Sequence, residues 1–162
     1  MTITLLELYP PKLGTWSNWY VDLLLPFGLA VQCLCTPSHN RSQLELSLRD
    51  LELTGTIPTE LGKLFKTDII DFTDNELTGT LPSEIFRIRP LRDLRLGENE
   101  LRGPIPPSIG DATRLIEIEL GGNAFTGTLP TEMANLAMLE ILSLDANQFS
   151  GPLPSFLGEL PD

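Results

Sequence analysis

The 162-residue chain is long enough for one domain with a sizeable core, and its apolar content is ordinary for a globular protein. Asp and Glu number 22 against 11 Lys and Arg, a formal charge of −11. That balance argues against nucleic acid as a ligand, because phosphate-backbone binders gather cations on one face. The asymmetry is steepest late in the chain: no Lys or Arg follows Arg114, whereas Glu117, Glu119, Glu132, Glu140, Asp145, Glu159 and Asp162 all do. Such a tract favours solubility and attracts cationic partners.

Residues 1–39 read as a region distinct from the rest of the chain. Its most apolar run, "VDLLLPFGLAVQCLC" from Val21, holds about 15 residues against the ~20 needed to span a bilayer, and Asp22, Pro26 and Gly28 interrupt it. The first residues lack the positive start of a secretory signal, since Glu7 balances Lys12, and no small-residue cleavage site is clear. Membrane attachment is therefore expected only through a segment outside this chain. Cys33 and Cys35 stand too close in sequence to bridge without strain, which leaves their redox state open. His39 lies in the loop "TPSHN", and "NRS" makes Asn40 a candidate glycosylation site if the chain enters the secretory pathway.

Residues 40–162 are periodic. "LTGTIPTELGKL" from Leu53 recurs as "LTGTLPSEIFRI", "LRGPIPPSIGDA", "FTGTLPTEMANL" and "FSGPLPSFLGEL", each copy beginning 24 residues after the last. A fixed period of this length marks a solenoid, whose units bury their apolar faces against one another. Leu46, Ile70, Leu94, Ile118 and Leu142 precede Leu48, Phe72, Leu96, Leu120 and Leu144 by two positions, the alternation of a short strand with one face inward. Next come Asn75, Asn99, Asn123 and Asn147, where the first repeat has Leu51. A side-chain amide there can donate and accept, so it can satisfy the backbone of stacked corners. Gly55, Gly79, Gly103, Gly127 and Gly151 follow, and a proline stands three residues after each. Glycine permits a tight turn, and proline stops the return segment from continuing as a central strand or a long helix. Leu61, Ile85, Ile109, Met133 and Leu157 are expected to close the core from that return segment.

The frame LxxLxxLxLxxNxLxGxIPxxLGx, fullest in "LRDLRLGENELRGPIPPSIG" from Leu91, resembles the plant-type leucine-rich repeat across residues 44–160. The resemblance implies an α/β-type repeat solenoid. In it a right-handed superhelix carries a short parallel β-sheet on its concave face, with irregular or 3-10 return segments. It also implies that residues 1–39, with "LLELY", "GTWSNW" and "PFGLAVQC", are a degraded N-terminal cap containing a helix. That cap departs from the family pattern by lacking the earlier cysteine of the usual capping disulfide. The array of five repeats stops at Leu160-Pro161-Asp162, with the C-terminal cap missing.

Nothing in the chain assembles a Ser-His or Cys-His partnership, a metal-binding HExxH or a phosphate-cradling loop, so the reading is non-catalytic, without cofactor or metal. Leucine-rich repeat proteins generally bind through the outward strand positions. The rows formed there are Ser47, Asp71, Arg95, Glu119 and Ser143; Glu45, Ile69, Asp93, Glu117 and Ile141; and Arg49, Thr73, Gly97, Gly121 and Asp145. The candidate ligand-binding residues are Asp71, Asp93, Arg95, Glu117, Glu119, Ile141 and Asp145. Asp71, Arg95 and Glu119 are expected to pair along their row, Gly97 and Gly121 to leave a bare strip, and the carboxylates to be solvated and unperturbed. The resemblance points to a recognition module for a protein or peptide, cationic by the charge of this face. Such modules form the sensing part of extracellular or cell-surface receptor-like proteins that signal. The alternative is a secreted or wall-associated enzyme inhibitor of the polygalacturonase-inhibiting type, or a structural fragment.

Overall fold

Apolar residues two apart in a strand point to the same side, and in this chain that alternation recurs with every repeat. The computed structural model describes residues 44–158, together with three two-residue strands, Thr4–Leu5, Leu23–Leu24 and Ala30–Val31, which pair antiparallel. The helix expected within residues 1–39 lies outside the described residues, as do Cys33, Cys35, His39 and Asn40.

The strands Leu44–Ser47, Thr67–Asp71, Asp93–Arg95, Glu117–Glu119 and Ile141–Ser143 form one parallel sheet in repeat order. Its register follows the sequence period: Ile69 stands opposite Asp93, Asp93 opposite Glu117 and Glu117 opposite Ile141. Beneath it Leu46, Ile70, Leu94 and Ile118 are buried, as are Leu48, Phe72, Leu96 and Leu120. Each fully buried side chain of this size contributes about 1.5–3 kcal/mol, and only stacking of several repeats provides that burial.

Where a glycine turn was expected, the chain forms a second parallel sheet, from Thr54–Thr56, Glu76–Gly79, Glu100–Gly103, Ala124–Gly127 and Gln148–Phe149. Here each glycine pairs with the core residue of the following repeat: Gly55 with Leu77, Gly79 with Leu101, Gly103 with Phe125 and Gly127 with Phe149. The partners stand 22 positions apart, two short of the repeat, so this sheet is sheared relative to the first. The glycines are still required. Gly103 has φ +85°, and a Cβ there would lie 3.1 Å from Thr80 Cγ2.

Proline then reverses the direction. Pro58, Pro82, Pro106 and Pro130 are extended, and their carbonyls accept the first bonds of the 3-10 segments Thr59–Lys63, Ser83–Arg87, Pro107–Asp111 and Thr131–Asn135. A shorter segment, Ser155–Gly158, opens the same way on Pro154. From these segments Leu61, Ile85, Ile109 and Met133 enter the core, fully buried. In the fifth repeat Leu142, Leu144, Phe149 and Leu157 are only partly buried, although Phe149 stacks on Phe125 with ring centroids 6.2 Å apart.

The asparagine column joins the two sheets. Asn99 Nδ2 donates to the carbonyls of Phe72, Leu96 and Gly97, while its Oδ1 accepts from the Leu77 N–H. Asn75, Asn123 and Asn147 repeat the pattern one period apart. Asn75 also accepts from Leu51 N–H, so it serves the corner of the first repeat, which has no asparagine of its own. Asn75 and Asn99 are buried, whereas Asn123 and Asn147 are half-buried.

Candidate concave-face site

The pleat that drives the apolar columns inward turns the intervening side chains to the opposite face of the first sheet, where the predicted site residues converge. Arg95 lies at their centre. Its Nη2 donates to Glu117 Oε2 on the next strand, and it stands 3.4 Å from Asp93 Oδ2 on its own strand. This differs from the expected pairing along the row. Asp71 and Glu119 lie directly opposite Arg95 in register, yet the long guanidinium reaches diagonally to the adjacent row. A fork with several donors can choose between such neighbours.

Asp93, Glu117 and Glu119 are neither fully solvated nor unperturbed. The hydrogen bond from Arg95 holds Glu117 below the usual carboxylate range. Burial pushes Glu119 up, and its hydrogen bond to Glu117 pushes in the same direction. Burial also raises Asp93, against the attraction of Arg95. A strand of three residues thus carries two glutamates displaced in opposite directions, so a proton enters the pair at Glu119.

Asp71 is the most enclosed of the set, 7% exposed, because its Oδ1 turns back to accept from the Thr73 N–H at 3.0 Å. The Thr73 hydroxyl beside it is buried and has no hydrogen-bond partner among the described residues. Asp145 is exposed and accepts from Ser143 Oγ at 2.7 Å. Ile141 is 49% exposed and forms the apolar margin. The strip of Gly97 and Gly121 is not bare: both residues are buried, and the place of a Cβ on Gly121 lies 2.7 Å from Asp145 Oδ1 and 3.0 Å from Ser143 Oγ. Ser143 and Thr73 belong to the outward rows, and row membership was the signal that could have added them to the candidates.

Five carboxylates, those of Asp71, Asp93, Glu117, Glu119 and Asp145, therefore share the outward rows with Arg95, which pairs with Asp93 and Glu117. Among the described residues no group of three or more His, Cys, Asp or Glu side chains could hold a metal ion, and no helix is long and apolar enough to cross a membrane.

The family model for the Leucine Rich Repeat matches residues 90–112 and 138–160. Among solved structures, a chain of the BIR3–SERK2 complex from Arabidopsis thaliana is 31% identical with TM-score 0.69, over 76% of this chain and 67% of that one. The leucine-rich repeat ectodomain of the receptor kinase SOBIR1 from Arabidopsis thaliana is 29% identical with TM-score 0.70, over 80% of this chain and 73% of that one. The plant peptide hormone receptor RGFR1, solved in complex with RGF2, is 36% identical with TM-score 0.65 over 67% of this chain, which spans only 17% of the receptor chain. No curated protein sequence matches.

Proposed function

The chain belongs to the plant-type leucine-rich repeat proteins, and from that premise we propose that it is a non-catalytic recognition module whose carboxylate face receives a cationic, extended peptide or a basic segment of a partner protein. The observation that carries the proposal is the imbalance of this face. Arg95 neutralises part of Asp93 and Glu117, while Glu119, Asp71 and Asp145 form no salt bridge among the described residues. Their charge favours a positive ligand and raises its association rate, with screening over about 10 Å at 0.1 M salt. Solved relatives include a receptor kinase in complex with a peptide hormone, which supports a peptide as the ligand class. Five strands span only ~20 Å across the sheet at ~4.8 Å spacing, so a small contact of modest affinity is expected from this face alone.

The test is the binding of a labelled arginine-rich peptide to the chain and to its Glu117→Lys, Glu119→Lys variant, at low and high salt. Binding should weaken in the variant, and the difference should shrink as salt rises; equal affinities throughout would refute the acidic-face reading. The pH dependence has a definite sign. Glu119 has the raised pKa, so as pH falls its charge is lost before that of Glu117, and cationic-peptide binding begins to weaken at a higher pH than the loss of Glu117 alone would give. Glu119→Gln should remove this upper part of the profile while leaving the loss at lower pH.

A further inference from the structure

On the return side, the first three repeats carry more cations than carboxylates. The 3-10 segments Thr59–Lys63, Ser83–Arg87 and Pro107–Asp111 stack so closely that a Cβ on Gly62 would collide with the Glu84 carbonyl oxygen. This stacking places Lys63 and Arg87, equivalent positions in successive repeats, side by side at the ends of their segments. Arg89 and Arg114 follow on the connections to the next strands, and all four cations are exposed. None of these four pairs with a carboxylate among the described residues. The nearby glutamates are held at the other end of each segment. Glu60 accepts from Thr59 Oγ1 at 3.4 Å and Glu84 from Ser83 Oγ at 3.2 Å. Asp111 occupies the next position of the Lys63 and Arg87 column and ends the cationic run. Phe65 holds the position of Arg89 in the preceding repeat and is 70% exposed, a large aromatic ring in a turn.

We propose that this return-side patch, to which Lys63, Phe65, Arg87, Arg89 and Arg114 belong, docks an acidic segment of a partner protein that inserts an apolar side chain against Phe65. Guanidinium forks match carboxylates in shape and number of donors, and an exposed aromatic among cations is the composition of an interface anchor. An acidic peptide suits the patch better than an anionic membrane. A bilayer would confront the whole chain and its net charge of −11 across a wide plane, whereas a narrow segment meets only the cations within a Debye length of about 8 Å at 0.15 M salt. A sugar polyanion would bring carboxylates but no apolar side chain to cover the ring. The patch sits on the return segments and the connections after them, whereas the carboxylates sit on the first sheet, so the two surfaces are expected to act independently.

Fluorescence anisotropy with the full 162-residue chain tests this, using a labelled Asp- and Glu-rich peptide that carries one phenylalanine. The peptide should bind, and replacing its phenylalanine by serine should weaken it. The Lys63→Glu, Arg87→Glu, Arg89→Glu variant should raise the Kd by roughly tenfold or more, while Arg102→Glu, at an exposed cation of the second sheet outside the patch, should leave it within about twofold. If the charge-reversed chain misfolds by circular dichroism, the milder Lys63→Gln, Arg89→Gln variant and Phe65→Ser replace it, each expected to weaken binding by roughly threefold or more. Phosphatidylserine vesicles and polygalacturonate serve as competing probes. Equal affinity of the wild-type chain and the return-side variants, or tighter binding to either competing probe than to the peptide, would overturn the assignment.

Discussion

Gly103 shows how one residue carries two requirements. Its φ of +85° belongs to a region that side chains with a Cβ rarely occupy, and the methyl of Thr80 fills the space where a Cβ would project. Gly103→Val should therefore destabilise by about 1–3 kcal/mol, from backbone strain and the forced movement of Thr80. Equilibrium urea unfolding measures it, and an unchanged midpoint would show that the second sheet tolerates a branched side chain at its end. From the letters alone the glycine column was visible as a conformational need, but its place at the end of a strand was not, because a positive φ is equally a property of turns. Asp71 makes the same point about burial. Its row position placed it on the outward face, yet the bond to its own neighbour Thr73 draws the carboxylate inward.

At the scale of the element, the corner between the two sheets is held by asparagine. Each amide serves carbonyls of its own turn and of the preceding one, so it acts as a cross-repeat brace as well as a local cap. Asn99→Leu would leave buried carbonyls and the Leu77 N–H unpaired, at about 1–3 kcal/mol for each group left without water. Asn147 makes an equivalent set of bonds but lies half-exposed, so water can replace the lost partners. Asn99→Leu should accordingly lower the urea midpoint more than Asn147→Leu, and comparison of the two variants checks the ordering. Equal losses would mean that the position in the array does not modulate the brace. This element was legible in the sequence because the amide recurs at one phase of the period, where only a group that both donates and accepts serves every repeat.

Across the molecule, stability should follow the depth of stacking. Phe72, Leu94, Leu96, Ile118 and Leu120 are fully buried between neighbours, while Leu142 and Leu144 are covered on fewer sides. In an array whose units touch only adjacent units, local opening is easiest where one of those contacts is missing. Hydrogen exchange of this 162-residue chain should therefore be slower at the amides of Leu96 and Leu120, which bond to Glu119 and Ser143, than at Ser150, which bonds to Gly127. Uniform protection across these three amides would show that the array opens as one unit. The same scale separates the two charged surfaces. The concave rows collect carboxylates, and the return side of the first three repeats collects cations, because strand and return segment occupy different phases of one 24-residue period.

That period by itself determined the solenoid, the register of the first sheet, the apolar columns and the asparagine braces, since each depends only on residue type at a repeating phase. Tertiary structure alone decided the second sheet, with partners 22 positions apart, because that offset arises from how successive units are sheared against one another. It also decided the diagonal choice of Arg95 for Glu117, the opposite displacement of Glu117 and Glu119, and the enclosure of Gly121 under Asp145. A one-dimensional pattern places side chains in rows. Which neighbour a long, charged side chain reaches, and how much water remains around it, depends on distances between rows that exist only after the repeats have stacked.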